Sequence, residues 1–239
     1  MDPYKLFIDG EFVDARGGKT FESIDPGTGL PFATVAQAGK ADAEAAIEAA
    51  RRAFDKGDWS GLEPAARAAK VYDFADRIMQ QGLRLAVTES MDSGQVIGLT
   101  KFMPMLGSGI LRNLAYYAAT KFPWEEEIPY SGNVFAPGRD FIRREPVGVC
   151  VGIIPWNFPM SMAFWKIAHA IIMGNTIVLK PASATSLSAL IIAECAKAAG
   201  IPKGVINIIA GPGGELGKVL CTHPYVDKIA FTGSTEVGR

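Results

Sequence analysis

Hydrophobic and polar positions change rhythm along this chain at Val147. From there, short β-branched apolar runs alternate with longer stretches of helical period. The run Val147–Ile154 carries no charge, which predicts a strand buried on both faces of a sheet. Helices are expected over Met160–Met173, Ser186–Ala199 and Glu215–Cys221. Strands are expected over Asn175–Leu179, Val205–Ile209 and Lys228–Phe231. That alternation predicts an α/β fold, an open, doubly wound parallel sheet with flanking helices.

The first half reads differently. Tyr4 to Val13 has the pattern of a hairpin turning at Asp9-Gly10, and a Gly/Pro-rich connection follows around Pro26-Gly27-Thr28-Gly29. Helical spacing begins at Ala41, with Ala46, Ala49, Ala50, Ala53 and Phe54 on one face. Pro64 opens a second helix reaching Gln81, and Leu83–Ser93 predicts a third, stopped by Gly94. A fourth is expected over Gly98–Lys121, although Pro104 blurs its start. Phe122–Arg144 breaks the rhythm with Pro123, Pro129, Pro137 and the acidic triplet Glu125-Glu126-Glu127. Two β-like runs, Asn133–Phe135 and Asp140–Ile142, flank a Pro137-Gly138 turn. The reading is a projecting hairpin, either an intersubunit arm or a plain surface excursion. The chain thus divides into residues 1–121, an arm at 122–146, and the regular βα part at 147–239.

Composition narrows the function. Lys and Arg total 24 against 25 Asp and Glu. No basic block offers a footprint for nucleic acid, and no apolar segment has the length of a membrane span. The N-terminus lacks a secretory pattern. Cys150, Cys195 and Cys221 show no metal-ligand spacing, so a reduced, cytoplasmic protein without a structural metal is expected.

Candidate chemistry gathers at the strand ends. Pro155-Trp156-Asn157-Phe158-Pro159 fixes one amide, Asn157, between rigid prolines just past a buried strand, where open α/β sheets bind ligands. A turn residue between prolines is the alternative. Lys180 leaves the next strand, followed by Pro181-Ala182-Ser183, and either reaches a ligand over the sheet edge or simply runs to solvent. Gly211-Pro212-Gly213-Gly214 precedes a helix, a place suited to phosphate and also to ordinary turns. Gly233 and Gly238 stand five apart. No Gly-x-Gly-x-x-Gly follows the first strand, and Arg239 occupies the lysine position of a P-loop, which argues against a nucleotide triphosphatase. Thr232–Arg239 reads as a turn and the first residues of a helix, so the chain is expected to be the N-terminal portion of a longer polypeptide.

Taken in order, Pro155–Pro159, Lys180-Pro181-Ala182-Ser183, Gly211–Gly217 and Phe231–Gly238 resemble the aldehyde dehydrogenase superfamily over nearly the whole chain. The resemblance implies a Rossmann-like domain binding NAD or NADP. Lys180 would bond the adenosine ribose, Pro155 and Trp156 would give backbone contacts, and Gly213 would admit the adenine beside Phe231 and Val237. Ser234 would donate to the pyrophosphate, and Ile154, Thr232 and Gly233 complete the cofactor set with Asn157 and Ser183. Asn157 would donate to the oxyanion formed when a cysteine thiolate attacks an aldehyde, with a carboxylic acid as the product. Phe158, Met162 and Trp165 would line the aldehyde tunnel, or else pack helix on sheet. Ser183 stands where many NAD-preferring relatives carry glutamate, so NADP becomes acceptable. The family's nucleophilic cysteine and general base lie beyond Arg239, and the isolated chain is expected to be inactive. A homo-oligomer formed through the arm is implied for the full enzyme. Two other readings stay open: a non-catalytic nucleotide-binding or subunit-pairing module, and an enzyme of the same fold that transfers its acyl group to coenzyme A.

Overall fold

The computed structural model describes residues 3–129 and 138–239. Strands β1 (Leu6–Ile8) and β2 (Glu11–Val13) form the expected hairpin. Asp9 and Gly10 both take left-handed φ, 53° and 77°, the twist a two-residue turn requires. The hairpin is not an appendage, because Phe7 pairs antiparallel with Ile208 of the main sheet. The connection expected around Pro26–Gly29 belongs to a separate two-stranded sheet, β3 (Thr20–Asp25) and β4 (Leu30–Ala36). Its strands mix small, polar and single apolar residues, a weak period that carries no strand signal.

Helices α1 (Lys40–Lys56), α2 (Pro64–Gln80) and α3 (Gly82–Ser93) follow the apolar spacing. Gly94 ends α3 in a left-handed conformation at φ 74°. The single helix expected over Gly98–Lys121 is two, α4 (Ile97–Thr100) and α5 (Met103–Thr120). Pro104 lies in the first turn of α5, where a missing N–H costs nothing.

In the arm, β5 (Glu125–Ile128) pairs with β6 (Asp140–Arg143), so the acidic triplet is itself a strand. Glu127 meets Arg139 at 2.7 Å and Glu126 meets Arg144 at 3.0 Å across the ladder. The expected run Asn133–Phe135 and Pro137 of the expected turn lie outside the described residues.

The βα units follow as β7 (Val149–Ile153), α6 (Pro159–Ile172), β8 (Thr176–Lys180), a 3-10 turn at Ser183–Thr185, and α7 (Leu187–Ala198). Next come β9 (Ile206–Ile208), α8 (Gly213–Thr222), β10 (Lys228–Phe231) and α9 (Thr235–Gly238). The six-stranded sheet runs β10-β7-β8-β9-β1-β2. It is parallel from β10 to β9, as expected, and the N-terminal hairpin adds two antiparallel strands at the β9 edge, so the whole sheet is mixed. Val149, Val151, Val178 and Leu179 are fully buried, as uncharged runs between helical layers must be.

Arg67 is buried at 2% exposure under this sheet. Its Nε donates to the Ile172 carbonyl at 2.8 Å, and its Nη1 to Trp59 and Leu62 carbonyls at 3.1 and 2.9 Å. The guanidinium thereby satisfies the carbonyl end of α6, and burial lowers its pKa. Among the described residues, no helix is long and apolar enough to cross a membrane, and no cluster of metal-binding side chains occurs.

Candidate functional site

Strand β7 has β8 on one side and β10 on the other, so the strand order reverses there. Such a switch point opens a crevice beyond the carboxyl ends of the strands. The register brings those ends level: Ile153 pairs with Lys180 of β8 and with Phe231 of β10. Ile154 N–H donates to the Lys180 carbonyl at 3.1 Å, and Thr232 N–H donates to the Ile153 carbonyl at 3.0 Å. A cavity of about 630 Å³ opens at this edge, and Lys180, Gly213, Phe231 and Val237 all border it. Gly217 of the quoted glycine motif and Cys221 also line it, as do Ile153, Lys218 and Ile229, which were not singled out from the sequence. They come from the end of β7, the inward face of α8 and the last strand, and the direction of α8 has to be known to find its share.

Lys180 is only 4% exposed, and its Nζ donates to the Pro181 carbonyl at 3.0 Å. Burial pushes its pKa down to about 8, since the ammonium is partly stripped of water. A side chain with two further donors and little solvation is poised to bond a hydroxyl-rich ligand. Gly213, Gly214 and Gly217 leave open space where a Cβ would stand, so ligand atoms can approach the α8 backbone closely. The five-residue glycine spacing has a packing cause. A Cβ on Gly233 would lie 2.5 Å, and one on Gly238 3.1 Å, from the Phe231 ring that walls the cavity. Ser234 caps α9, its Oγ accepting from Val237 N–H at 3.3 Å.

Ser183 lies on the 3-10 turn, and its Oγ donates to the Gly211 carbonyl at 2.8 Å, tying the loop after β8 to the loop after β9. Ile154, Pro155, Trp156, Asn157, Ser183, Thr232, Gly233 and Ser234 do not border the 630 Å³ cavity. The loop after β7 instead presents its side chains outward: Trp156, Asn157 and Phe158 are exposed. Its backbone is held from α3 and the connection that follows it. Gln95 Nε2 donates to the Asn157 carbonyl at 2.5 Å, and Glu89 Oε1 accepts from Met160 N–H at 3.0 Å. Burial raises the Glu89 carboxyl to about 7.

The three tunnel candidates diverge. Phe158 is exposed, Met162 packs against the core, and Trp165 borders a second cavity of about 380 Å³ together with Cys150 and His169. A further hollow of about 620 Å³, lined by Tyr4, Phe32 and Arg84, contains none of the residues singled out from the sequence. Burial raises the thiols of Cys150 and Cys195 to about 11 and about 12, which leaves neither as a ready nucleophile.

Comparison with known proteins bears on this geometry. The aldehyde dehydrogenase family model matches residues 12–239. The DhaS protein of Bacillus subtilis (strain 168) is 46% identical over 98% of this chain and 46% of its own length. Cytosolic 10-formyltetrahydrofolate dehydrogenase of Xenopus tropicalis is 43% identical over 99% of the chain and 26% of its own length. The structure of betaine aldehyde dehydrogenase from Staphylococcus aureus in complex with NAD+ superposes at a TM-score of 0.93 and 36% identity, covering 98% of this chain and 46% of that one. The chain therefore spans about half the length, or less, of the relatives it matches. A sheet of this order with a switch-point crevice is Rossmann-like, and by sequence and structure together the chain belongs to the aldehyde dehydrogenase family.

Proposed function

We propose that this chain supplies the dinucleotide-binding half of an NAD(P)-dependent aldehyde dehydrogenase that forms a carboxylic acid. The observation carrying this reading is the switch-point crevice, where a buried lysine, an open glycine turn and an aromatic wall meet in one cavity. A pyridine dinucleotide fits those features. Its adenine suits the space between the glycines of α8 and the Phe231–Val237 wall, and a ribose hydroxyl suits the Lys180 ammonium. Ser234, at the N-terminus of α9, and the backbone from Ile154 to Asn157 with Thr232 and Gly233 extend the same edge toward the pyrophosphate and nicotinamide. When bound, the nicotinamide accepts hydride.

The chain's own contribution to the reaction centres on Asn157. Its amide N–H, held beside the strand end, donates to the oxygen that becomes negative when a thiolate adds to the aldehyde. Such preorganised donors act on charge that develops only in the transition state. Phe158, Met162 and Trp165 would line the approach for the aldehyde, Phe158 and Trp165 through exposed ring surface and Met162 from a half-buried place against the core. The thiolate comes from outside the three cysteines here, two of which are buried with raised pKa values. Both NAD and NADP are accepted, because Ser183 brings no carboxylate to oppose a 2′-phosphate. The salt-bridged arm pairs subunits.

The test uses the complete enzyme, this chain continued through its catalytic half. It should convert an aldehyde and NAD to acid and NADH. Asn157→Ala should lower kcat about a hundredfold or more while KM for the dinucleotide changes little. Normal turnover with a raised dinucleotide KM would reverse the role given to Asn157.

A further inference from the structure

The Asn157 loop draws its anchors from a segment far away in sequence, the end of α3 and the connection that follows it. Pro155 and Pro159 have no N–H to give, so prolines alone limit the loop's torsions without tying it to anything. Helix α3 and the turn that ends it provide the ties. Gln95 Nε2 donates to the Asn157 carbonyl at 2.5 Å, and Glu89 Oε1 accepts from Met160 N–H at 3.0 Å in the first turn of α6. These two bonds bracket Asn157, Phe158 and Pro159. Glu89 is 1% exposed, and its burial at a helix N-terminus makes that end of the bracket rigid.

Gln95 is itself fixed. Gly94 turns the chain out of α3 at φ 74°, and a Cβ there would lie 2.9 Å from Pro26 Cγ. Ser90 Oγ then donates to the Gln95 carbonyl at 2.7 Å. The side chain of Gln95 thus starts from a set point and ends on the peptide plane that follows the Asn157 Cα. That plane sets where the Asn157 side chain leaves the backbone. An exposed donor at a loop would otherwise sample several directions, and a misplacement of about 1 Å is worth about a hundredfold in rate.

We propose that Gln95 is a positioning residue that aims the Asn157 amide, with Glu89 fixing the far end of the same loop. The proposal rests on Asn157 being the oxyanion donor, and its test separates the two. In the complete enzyme, kcat and KM are compared for Gln95→Met, Gln95→Lys, Asn157→Ala and the Gln95→Met/Asn157→Ala double variant. Gln95→Met keeps the length and loses the donor, and should lower kcat about tenfold with dinucleotide KM little changed. Gln95→Lys keeps a donor for the same carbonyl and should recover kcat to within about threefold. The double variant should be no slower than Asn157→Ala alone, because Gln95 acts through that amide.

A normal kcat in Gln95→Met beside a slow Asn157→Ala overturns the positioning role and leaves the oxyanion role standing. Additive losses in the double variant, or no recovery in Gln95→Lys, overturn it equally. A normal kcat in Asn157→Ala removes the oxyanion role, and the positioning role with it. As a readout on the 239-residue chain itself, amide exchange at Phe158 and Met160 should quicken in Gln95→Met and return to the parent rate in Gln95→Lys.

Discussion

The two ends of the crevice are built in opposite ways. On the side of α8 and β10, Lys180, Gly213, Phe231 and Val237 already enclose a cavity of about 630 Å³, using contacts made wholly within this chain. On the side of the β7 loop, Trp156, Asn157 and Phe158 stand exposed, at 65% and 42% for the two aromatic residues, and are tied down only through their backbone. The α8–β10 side thus presents a lined cavity, whereas the Asn157 amide of the β7 loop is exposed. On the proposed reading, recognition of the dinucleotide and activation of the aldehyde are separable tasks, and this lined surface bears on the first.

The largest effect expected on the enclosed side comes from Lys180→Met. Removing a buried charge-assisted donor should weaken NAD binding by about tenfold to a hundredfold, measured by calorimetry, with the fold retained by circular dichroism. Unchanged affinity would place the adenosine elsewhere. Next in size is the response to a carboxylate. Parent protein should bind NADP within about tenfold of NAD, about 1.4 kcal/mol, and Ser183→Glu should select against NADP by at least another tenfold. A thousandfold preference for NAD in the parent would show that something other than Ser183 governs the 2′ position.

A pH dependence distinguishes the two ends further. Burial lowers Lys180 to about 8, so its ammonium is lost as pH rises through that value. Dinucleotide affinity should therefore be about tenfold weaker at pH 9.5 than at pH 7, and Lys180→Met should abolish the difference. Flat affinity across that range counts against an ammonium contact. The last effect concerns stability behind the open side, away from ligand binding. Glu89 is raised from 4.5 to about 7 by burial. Between those values the folded protein binds more protons than the unfolded one, so stability is fullest below pH 4.5 and falls as pH rises to about 7. Chemical denaturation of Glu89→Gln at pH 5 and pH 8 should show that decline reduced, by on the order of 1–3 kcal/mol. An undiminished decline would assign it to other groups, Asp92 first among them, which burial raises to about 6.

Much of this was legible in the amino-acid order because its causes are local. Buried parallel strands demand uncharged β-branched runs, so Val147–Ile154 and its successors announce themselves, and Gly94 marks the end of α3 unaided. The motifs that drew attention to strand ends do lie there, and the register places Lys180, Ile153 and Phe231 side by side. The rest depends on partners distant along the chain. Strands β3 and β4 have too little apolar alternation to be seen, and Glu125–Glu127 forms a strand only because Arg139, Arg143 and Arg144 face it. Glu89 looks like a surface residue of an amphipathic helix, and Gln95 like part of the connection that follows it. Their contact with the Asn157 loop exists only once α3 packs beside α6.

The central claim is that the crevice at the β7 switch point receives a pyridine dinucleotide. A crystal structure of the 239-residue chain grown with NAD tests it most directly. The account predicts the adenine between α8 and the Phe231–Val237 wall, with a ribose hydroxyl within hydrogen-bonding distance of Lys180 Nζ. Nucleotide density at any other edge of the sheet, with that crevice empty, would contradict it.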